Sequence, residues 1–214
     1  MDPSDERLTS EKQNLRRQMS AAREALAPQS RREATRAACD RLAALGEVET
    51  LWSLPDRATP VVAGYMAVPA KAELDPEPFL AWVRAKGGRV VLPRVDRNAS
   101  PRLRFHEVEN EELRFGAFGL LEPDAGSPEV PLAEIDLILV PGFAFDEGGR
   151  RVGWGGGYYD ELARCLSPAA SRPCLAGLAY DFQIVDRCPA GAADREVDVV
   201  VTDRRVLRHP LEVR

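Results

Sequence analysis

Histidine is nearly absent from this 214-residue sequence: it has only His106 and His209, and nothing in their surroundings ties either to catalysis. The four cysteines show neither CxxC spacing nor histidine neighbours. This pattern predicts free, mostly buried thiols in a reducing cytosol rather than a disulfide framework. Lysine is rare too, since 26 of the 29 basic residues are arginine.

Long apolar runs and an excess of positive charge are also missing. No run approaches the roughly 18 apolar residues of a membrane helix, and the polar stretch Met1–Arg17 does not read as a signal peptide. The net charge of −5 argues against a general nucleic-acid binder. We therefore expect a cytoplasmic protein that binds neither nucleic acid nor membrane. A monomeric state and a small-molecule ligand are separate expectations that do not follow from these properties.

Helical and strand-like stretches alternate along the chain. Ser10 and Gln13 have capping-box spacing, which predicts a helix over 11–26. A second helix is predicted from Pro28 to about Leu45, stopped by Gly46. Further helices are predicted at 76–86 and 159–166, strands at 61–66, 89–92, 102–108, 135–140, 174–180 and 197–202, and a proline- and glycine-rich loop at 116–131.

The run Ile135–Val140 is almost uniformly apolar, as expected of a strand buried on both faces. Earlier in the chain, Pro93 is expected to end the predicted strand at 89–92. Strands interleaved with helices predict an α/β fold with a largely parallel central sheet flanked by helices. We expect a single domain over residues 1–214.

The segment Pro141–Asp160 is the most informative part of the sequence, because it leaves a predicted central strand, is dense in glycine and turns into a helix. Glycines let the backbone approach a ligand closely, and the first amides of a helix favour an anion. The segment therefore predicts a phosphate site, with Arg150 and Arg151 close by. It is neither a Walker A motif, since no Gly-Lys-Ser/Thr follows, nor a dinucleotide fingerprint, since it lies far from the first strand–helix turn.

Four blocks of the sequence resemble the 5-formyltetrahydrofolate cyclo-ligase family over nearly the whole chain. Lys12–Arg16 is similar to an N-terminal Lys-x-x-Leu-Arg motif, and Glu73-Leu74-Asp75 is similar to a Glu-Val-Asp/Glu block. The segment Pro141–Asp160 matches the signature Pro-Gly-x-x-Phe-Asp…Gly-x-Arg-x-Gly-x-Gly-x-Gly-Tyr-Tyr-Asp, and Tyr180–Asp198 is similar to the C-terminal block. The family's usual lead-in to the second block is replaced here by residues 69–72.

The resemblance implies a fold similar to the NagB/RpiA/CoA-transferase-like fold. It also implies an ATP- and Mg²⁺-dependent ligase that converts 5-formyltetrahydrofolate to 5,10-methenyltetrahydrofolate through a phosphorylated formyl intermediate, with release of ADP and phosphate. The length of the folate's glutamate tail stays open.

The resemblance further implies roles for individual residues. Glu73 and Val68 would contact the folate, together with Trp154, Gly155, Gly156, Gly157 and Tyr158. Asp160 and Asp194 would hold Mg²⁺, and Arg151, Tyr158 and Asp160 would take part in catalysis. Phe118 is a candidate for stacking on the pterin ring, with a core role as the alternative. ATP would be bound by Lys12, Arg16, Arg151, Gly153, Trp154, Gly155, Gly156, Gly157, Tyr158 and Tyr159.

Three rival functions stay open from the sequence. A non-catalytic paralogue would bind folate or nucleotide without turnover. An isomerase or transferase would need no ATP, and a regulatory nucleotide-binding module would bind ATP independently of folate.

Overall fold

A computed structural model of the protein describes residues 3–53, 59–108, 113–116, 119–166 and 172–209. The helices in these ranges are α1 (Pro3–Glu24), α2 (Pro28–Ala43), α3 (Gly46–Glu49), α4 (Glu77–Ala85) and α5 (Tyr158–Cys165). Short 3₁₀ helices lie at Thr50–Trp52, Pro69–Lys71, Leu132–Glu134 and Asp181–Gln183. The strands are β1 (Val61–Ala63), β2 (Arg89–Val95), β3 (Leu103–Glu107), β4 (Leu113–Phe115), β5 (Leu121–Pro123), β6 (Glu129–Val130), β7 (Leu137–Val140), β8 (Ala144–Phe145), β9 (Arg151–Val152), β10 (Cys174–Ala179), β11 (Val199–Thr202) and β12 (Val206–Arg208).

The main sheet has eight strands in the order β12-β11-β10-β7-β1-β2-β3-β6. The five strands from β11 to β2 run parallel. At the edges, β12 pairs antiparallel with β11, β3 pairs antiparallel with β2, and β6 pairs antiparallel with β3. The predicted α/β class and largely parallel sheet are confirmed. The likeness to the NagB/RpiA/CoA-transferase-like fold and the single-domain assignment stay predictions.

Both faces of the sheet are covered, and strand β7 illustrates why. Successive side chains of a strand point to opposite faces. Leu137 and Leu139 accordingly pack in the core that also contains residues of α2 and α4, whereas Ile138 and Val140 pack in the core that contains Leu162 of α5. All four residues of β7 are buried, which confirms the prediction of a strand covered on both sides.

Two predicted helix boundaries were wrong. Helix α1 begins at Pro3, so Ser10 lies inside the helix and does not cap it. Proline at the first position and the acids Asp5 and Glu6 in the first turn favour this earlier start. Helix α2 ends at Ala43, and Gly46 is the first residue of α3 rather than a stop signal.

Two strand predictions were also wrong. Pro93 lies inside β2, where it pairs with Phe105 of β3. Strand β1 pairs with β2 only as far as Val91, so Pro93 lies beyond the paired length of β1 and costs no hydrogen bond there. The region 116–131, predicted as a loop, contains β5 and β6, whose two or three residues are too few to show alternation.

The direction of chain progression reverses at the centre of the sheet. From β1 the chain adds β2 and β3 on one side, and then returns to place β7, β10 and β11 on the other. In open α/β sheets, ligands bind outside the carboxyl ends of the strands at such a switch point. The segments following β1 and β7 are therefore where a site is expected. None of the helices in the described ranges has the length and apolar character to span a bilayer.

Candidate active site

A cavity of about 790 Å³ opens at the switch point between β1 and β7. Ligand pockets commonly have volumes of this order. Apart from the stacking candidate Phe118, the residues to which the family resemblance gave a binding, metal or catalytic role all line this one cavity. Those residues are Lys12, Arg16, Val68, Glu73, Arg151, Gly153, Trp154, Gly155, Gly156, Gly157, Tyr158, Tyr159, Asp160 and Asp194.

The glycine-rich turn forms the wall of the cavity below helix α5. Gly155 has a φ of +100° and Gly157, which precedes the helix, has a φ of +69°. Both conformations lie in the region that residues with a side chain rarely adopt. Tyr158 and Tyr159 begin α5 directly after this turn. The predicted order of a glycine turn followed by a helix is thus present, and anion binding by the first amides of the helix stays a prediction.

Helix α1 brings two cations to the turn. Nζ of Lys12 lies 2.5 Å from Oδ2 of Asp194, and Nε of Arg16 donates to the carbonyl oxygen of Gly153 over 2.8 Å. Spacing of four residues places the two cations on one helical face, as the sequence predicted. Their approach to a phosphate is still a prediction.

Arg151 and Asp160 form an ion pair at the start of α5. Nη2 of Arg151 lies 2.8 Å from Oδ1 of Asp160, and the Arg151 side chain is almost fully buried. The same oxygen accepts a hydrogen bond from the amide of Arg195. Arg150, which the sequence placed beside the phosphate site, instead pairs with the buried Asp146 and is not among the residues that line the cavity.

A hydrogen bond links the segments that carry the two carboxylates proposed for Mg²⁺. Asp160 accepts it from the amide of Arg195, which directly follows Asp194, and both aspartates line the cavity. No group of three or more potential ligands occurs in the ranges that the structure describes. Mg²⁺ generally takes only one or two carboxylates from the protein and completes its shell with phosphate oxygens and water. The two carboxylates of Asp160 and Asp194 are therefore enough protein ligands for a Mg²⁺ ion that binds together with a nucleotide.

Glu73 also lines the cavity and is buried. Its Oε2 accepts a hydrogen bond from the amide of Val68, whereas Oε1 has no hydrogen-bond partner within the described ranges. Burial raises the pKa of Glu73; the charge of Arg23, the Val68 amide and the indole of Trp154 oppose this effect. Buried polar atoms are usually hydrogen-bonded, so a carboxylate that lines the cavity and keeps one oxygen unpaired among the described residues has capacity to accept a further hydrogen bond.

Trp154 both packs against Phe143 and lines the cavity. Its ring lies 4.8 Å from that of Phe143, tilted by 59°, and 42% of the residue is exposed. Tyr158 is covered from outside by Arg102, whose guanidinium carbon lies 4.7 Å from the ring centroid. Burial raises the pKa of Tyr159 well above its ordinary range.

Sequence reasoning missed the apolar side of the cavity. Its lining comes from β2, β3 and the start of β5 with the residue before it, which carry no recognisable motif: Pro93, Val95, Leu103, Leu120 and Leu121. Thr9 also lines the cavity and could have been found, because it precedes Lys12 by one helical turn. The proposed stacking residue Phe118 lies outside the described residues.

A carboxylate pair, clustered cations and a glycine turn at a helix start, all at the switch point of an α/β sheet, are typical of an enzyme that binds a phosphate-bearing ligand. Comparison with known proteins identifies which such enzymes are related. The 5-formyltetrahydrofolate cyclo-ligase family matches residues 8–203, and the chain belongs to this family.

Individual relatives agree with this assignment. The chain is 32% identical to the 5-formyltetrahydrofolate cyclo-ligase of Escherichia coli (strain K12) over 136 residues, which is 63% of this chain and 74% of the relative. It is 33% identical to the Mycolicibacterium smegmatis enzyme over 142 residues, 64% of this chain and 72% of the relative. The NMR structure of Aquifex aeolicus 5,10-methenyltetrahydrofolate synthetase superposes with a TM-score of 0.74 at 32% identity, covering 92% of both chains.

Proposed function

We propose that this protein converts 5-formyltetrahydrofolate to 5,10-methenyltetrahydrofolate, using ATP and Mg²⁺ and releasing ADP and phosphate. Membership of the cyclo-ligase family supports the reaction. The observation that carries the proposal is the cavity itself, whose lining combines cations, a glycine turn and the buried carboxylate of Glu73. A nucleotide and a folate can thus meet in one cavity.

The reaction needs activation because a formamide oxygen is a poor leaving group. Transfer of the γ-phosphoryl group of ATP to the formyl oxygen releases ADP and gives an imidate-like phosphate. The lone pair of N10 then attacks the formyl carbon, forming the new C–N bond. The C–O bond breaks, inorganic phosphate departs with its electrons, and N10 loses its proton. Phosphoryl transfer depends on positioning and charge neutralisation more than on a covalent nucleophile, which suits a site that is poor in histidine and cysteine.

The nucleotide end of the site is assigned to α1 and the glycine turn. Lys12 and Arg16 supply positive charge, and the amides at the start of α5 donate to phosphate oxygens. Arg151 is held by Asp160 over 2.8 Å, so its guanidinium is fixed before the substrates arrive. Such preorganised cations stabilise the charge that spreads over the transferred phosphoryl group.

Asp160 and Asp194 would hold Mg²⁺ beside these cations. The metal would neutralise charge on the phosphate oxygens when it is bound. Oδ2 of Asp194 already accepts hydrogen bonds from Lys12 and from the amide of Gly191. The ion pair keeps the Lys12 ammonium and the Asp194 carboxylate largely out of solvent. Both groups thus lie close to the proposed position of the phosphates.

The folate end is assigned to Glu73 and the apolar lining. The carboxylate of Glu73 would accept hydrogen bonds from the amine groups of the pterin ring. Val95, Leu103, Leu120 and Leu121 provide the apolar surface that a flat aromatic ring system requires. Trp154 lies between the two ends and borders both ligands.

The direct test is an absorbance assay. The protein is incubated with 5-formyltetrahydrofolate and Mg²⁺, with and without ATP, and the near-ultraviolet band of methenyltetrahydrofolate is followed. An ATP-dependent rise supports the proposal. A flat trace together with folate or ATP binding in calorimetry would identify a non-catalytic paralogue, and conversion without ATP would identify an isomerase or transferase.

A further inference from the structure

Arg23 is buried inside the protein, with 1% of its surface exposed. It lies near the end of α1, two helical turns beyond Arg16. Nη2 donates to the carbonyl oxygen of Gly142 over 2.5 Å, and the guanidinium carbon lies 5.0 Å from the centroid of the Phe143 ring. Both contacts are to the segment that leaves β7 and leads to the active site.

These contacts satisfy only part of the guanidinium. Nε and Nη1 are buried without a hydrogen-bond partner within the described ranges. Burial accordingly lowers the pKa of Arg23, and the charge of Glu73 is the largest effect that opposes it, followed by Tyr65 and Tyr180. A buried cation with so few donors satisfied is costly unless another charge compensates it.

Glu73 carries the opposite charge and also has an unsatisfied atom, because its Oε1 is buried without a hydrogen-bond partner within the described part of the chain. Arg23 is the largest of the effects that lower the pKa of Glu73 against its burial. The other titratable groups that act on the carboxylate are Tyr65 after β1, Tyr159 of α5 and Asp75 of its own segment. These three groups are neutral or negative, so the positive charge that acts on the Glu73 carboxylate comes from Arg23.

A second connection between Arg23 and Glu73 runs through aromatic rings. Arg23 lies against Phe143, Phe143 packs against Trp154, and the Trp154 indole favours the ionised form of Glu73. Gln183 fixes the same segment by donating to the carbonyl oxygens of Gly142 and Phe143. The ring of Phe143 is thereby held between the arginine and the indole.

We propose that Arg23 is a positioning residue for the folate end of the site: its buried guanidinium balances the charge of the Glu73 carboxylate and, through Phe143, fixes the indole of Trp154. Arg23 itself is not among the residues lining the cavity, so it acts through Glu73 and Trp154 rather than on the substrate. This inference rests on the proposed function for its kinetic consequences, but the charge coupling can be measured without turnover.

The kinetic test compares Arg23→Met, which keeps the length and removes the charge, with Arg23→Lys, which keeps the charge. We expect Arg23→Met to raise the KM for 5-formyltetrahydrofolate about tenfold at neutral pH, while the KM for ATP stays within about twofold. The KM for folate should recover as the pH rises, because the loss of the cation raises the pKa of Glu73 and more alkaline solution restores the carboxylate. Arg23→Lys should recover most of the affinity, and Arg17→Met, on the exposed side of the same helix, is the matched control.

The coupling test uses unfolding by urea for Arg23→Met, Glu73→Gln and the double variant. Glu73→Gln should stabilise the Arg23→Met protein by more than it stabilises the unmodified protein, because it removes a carboxylate that has lost its counter-charge. Additive effects in this cycle, or equal changes in both KM values without a shift of the pH profile, would overturn the proposal and leave Arg23 a packing residue. The two proposals can fail separately. If the unmodified protein is inactive but the effects of the two substitutions on unfolding are not additive, the proposed function is rejected and the charge balance is supported.

Discussion

Lys12 and Asp194 form an ion pair across a sequence separation of 182 residues, with Nζ 2.5 Å from Oδ2. Their side chains are 17% and 24% exposed, so the pair is largely removed from solvent. A cation proposed to bind phosphate and a carboxylate proposed to bind metal are thus joined before either ligand arrives. Binding of a metal–nucleotide complex would exchange this contact for two contacts with the ligand.

Substitution of Lys12 by methionine should weaken nucleotide binding and leave folate binding unchanged. Loss of a charge-assisted contact to phosphate should raise the KM for ATP roughly tenfold to a hundredfold. Steady-state kinetics with each substrate varied in turn measures the difference, and Lys86→Met, which removes a lysine outside the cavity, is the control. An equal rise of both KM values would argue against a specific phosphate contact.

Substitution of Asp160 by asparagine should lower turnover and weaken the dependence on Mg²⁺. Asparagine keeps an oxygen that can accept from the Arg195 amide, so the start of α5 should hold its shape, while kcat falls roughly tenfold or more. A magnesium titration of the initial rate gives the comparison. If kcat falls but the midpoint of the titration is unchanged, Asp160 serves only to fix Arg151.

Alanine at Gly155 should disrupt the turn beside Arg16. A residue with a Cβ is strained at a φ of +100°, and the new Cβ would lie 3.4 Å from Nη2 of Arg16. The strain of roughly 1–2 kcal/mol corresponds to a loss of about tenfold in kcat/KM. Gly46→Ala, at a position with open space, is the control. Unchanged activity in the Gly155 variant would show that the turn can rearrange without loss.

Glutamine at Glu73 should stabilise the fold while it abolishes folate binding. Burial raises the pKa of Glu73 above its ordinary value of 4.5, so its contribution to stability is present below that value and is lost as the pH rises through the folded-state pKa. The variant should therefore resist urea better than the unmodified protein at about pH 8, and the gain should shrink toward pH 4.5. Glu33→Gln, at an exposed position, should show no such trend. A gain that is independent of pH would exclude ionisation of Glu73 as its cause.

Tryptophan fluorescence should report ligand binding through Trp154 alone. Trp52 and Trp82 pack against each other at 5.1 Å, outside the residues that line the cavity. Addition of ATP or 5-formyltetrahydrofolate should change the emission of the unmodified protein, and Trp154→Phe should abolish the change. A response that persists in the variant would mean that the ligands alter the surroundings of α4.

The candidate site was predictable from the sequence where a short pattern fixes its own geometry. Lys12 and Arg16 are neighbours on any helix, and Gly155 to Gly157 followed by Tyr158 defines a turn into a helix. Arg23 could not be recognised in this way, because its burial depends on a carbonyl group and an aromatic ring that lie more than a hundred residues away. Pro93 was misread for a similar reason: its tolerance depends on where the neighbouring strand β1 ends, which local sequence does not specify.

Helix α1 has a consequence for the order in which its contacts can form during folding. Arg23, Arg16 and Lys12 bond to Gly142, Gly153 and Asp194, each more than a hundred residues further along the chain. Contacts between residues so distant in sequence form only after the chain between them has been brought together. A fragment that ends before Gly142 would therefore leave all three of these cations without their partners.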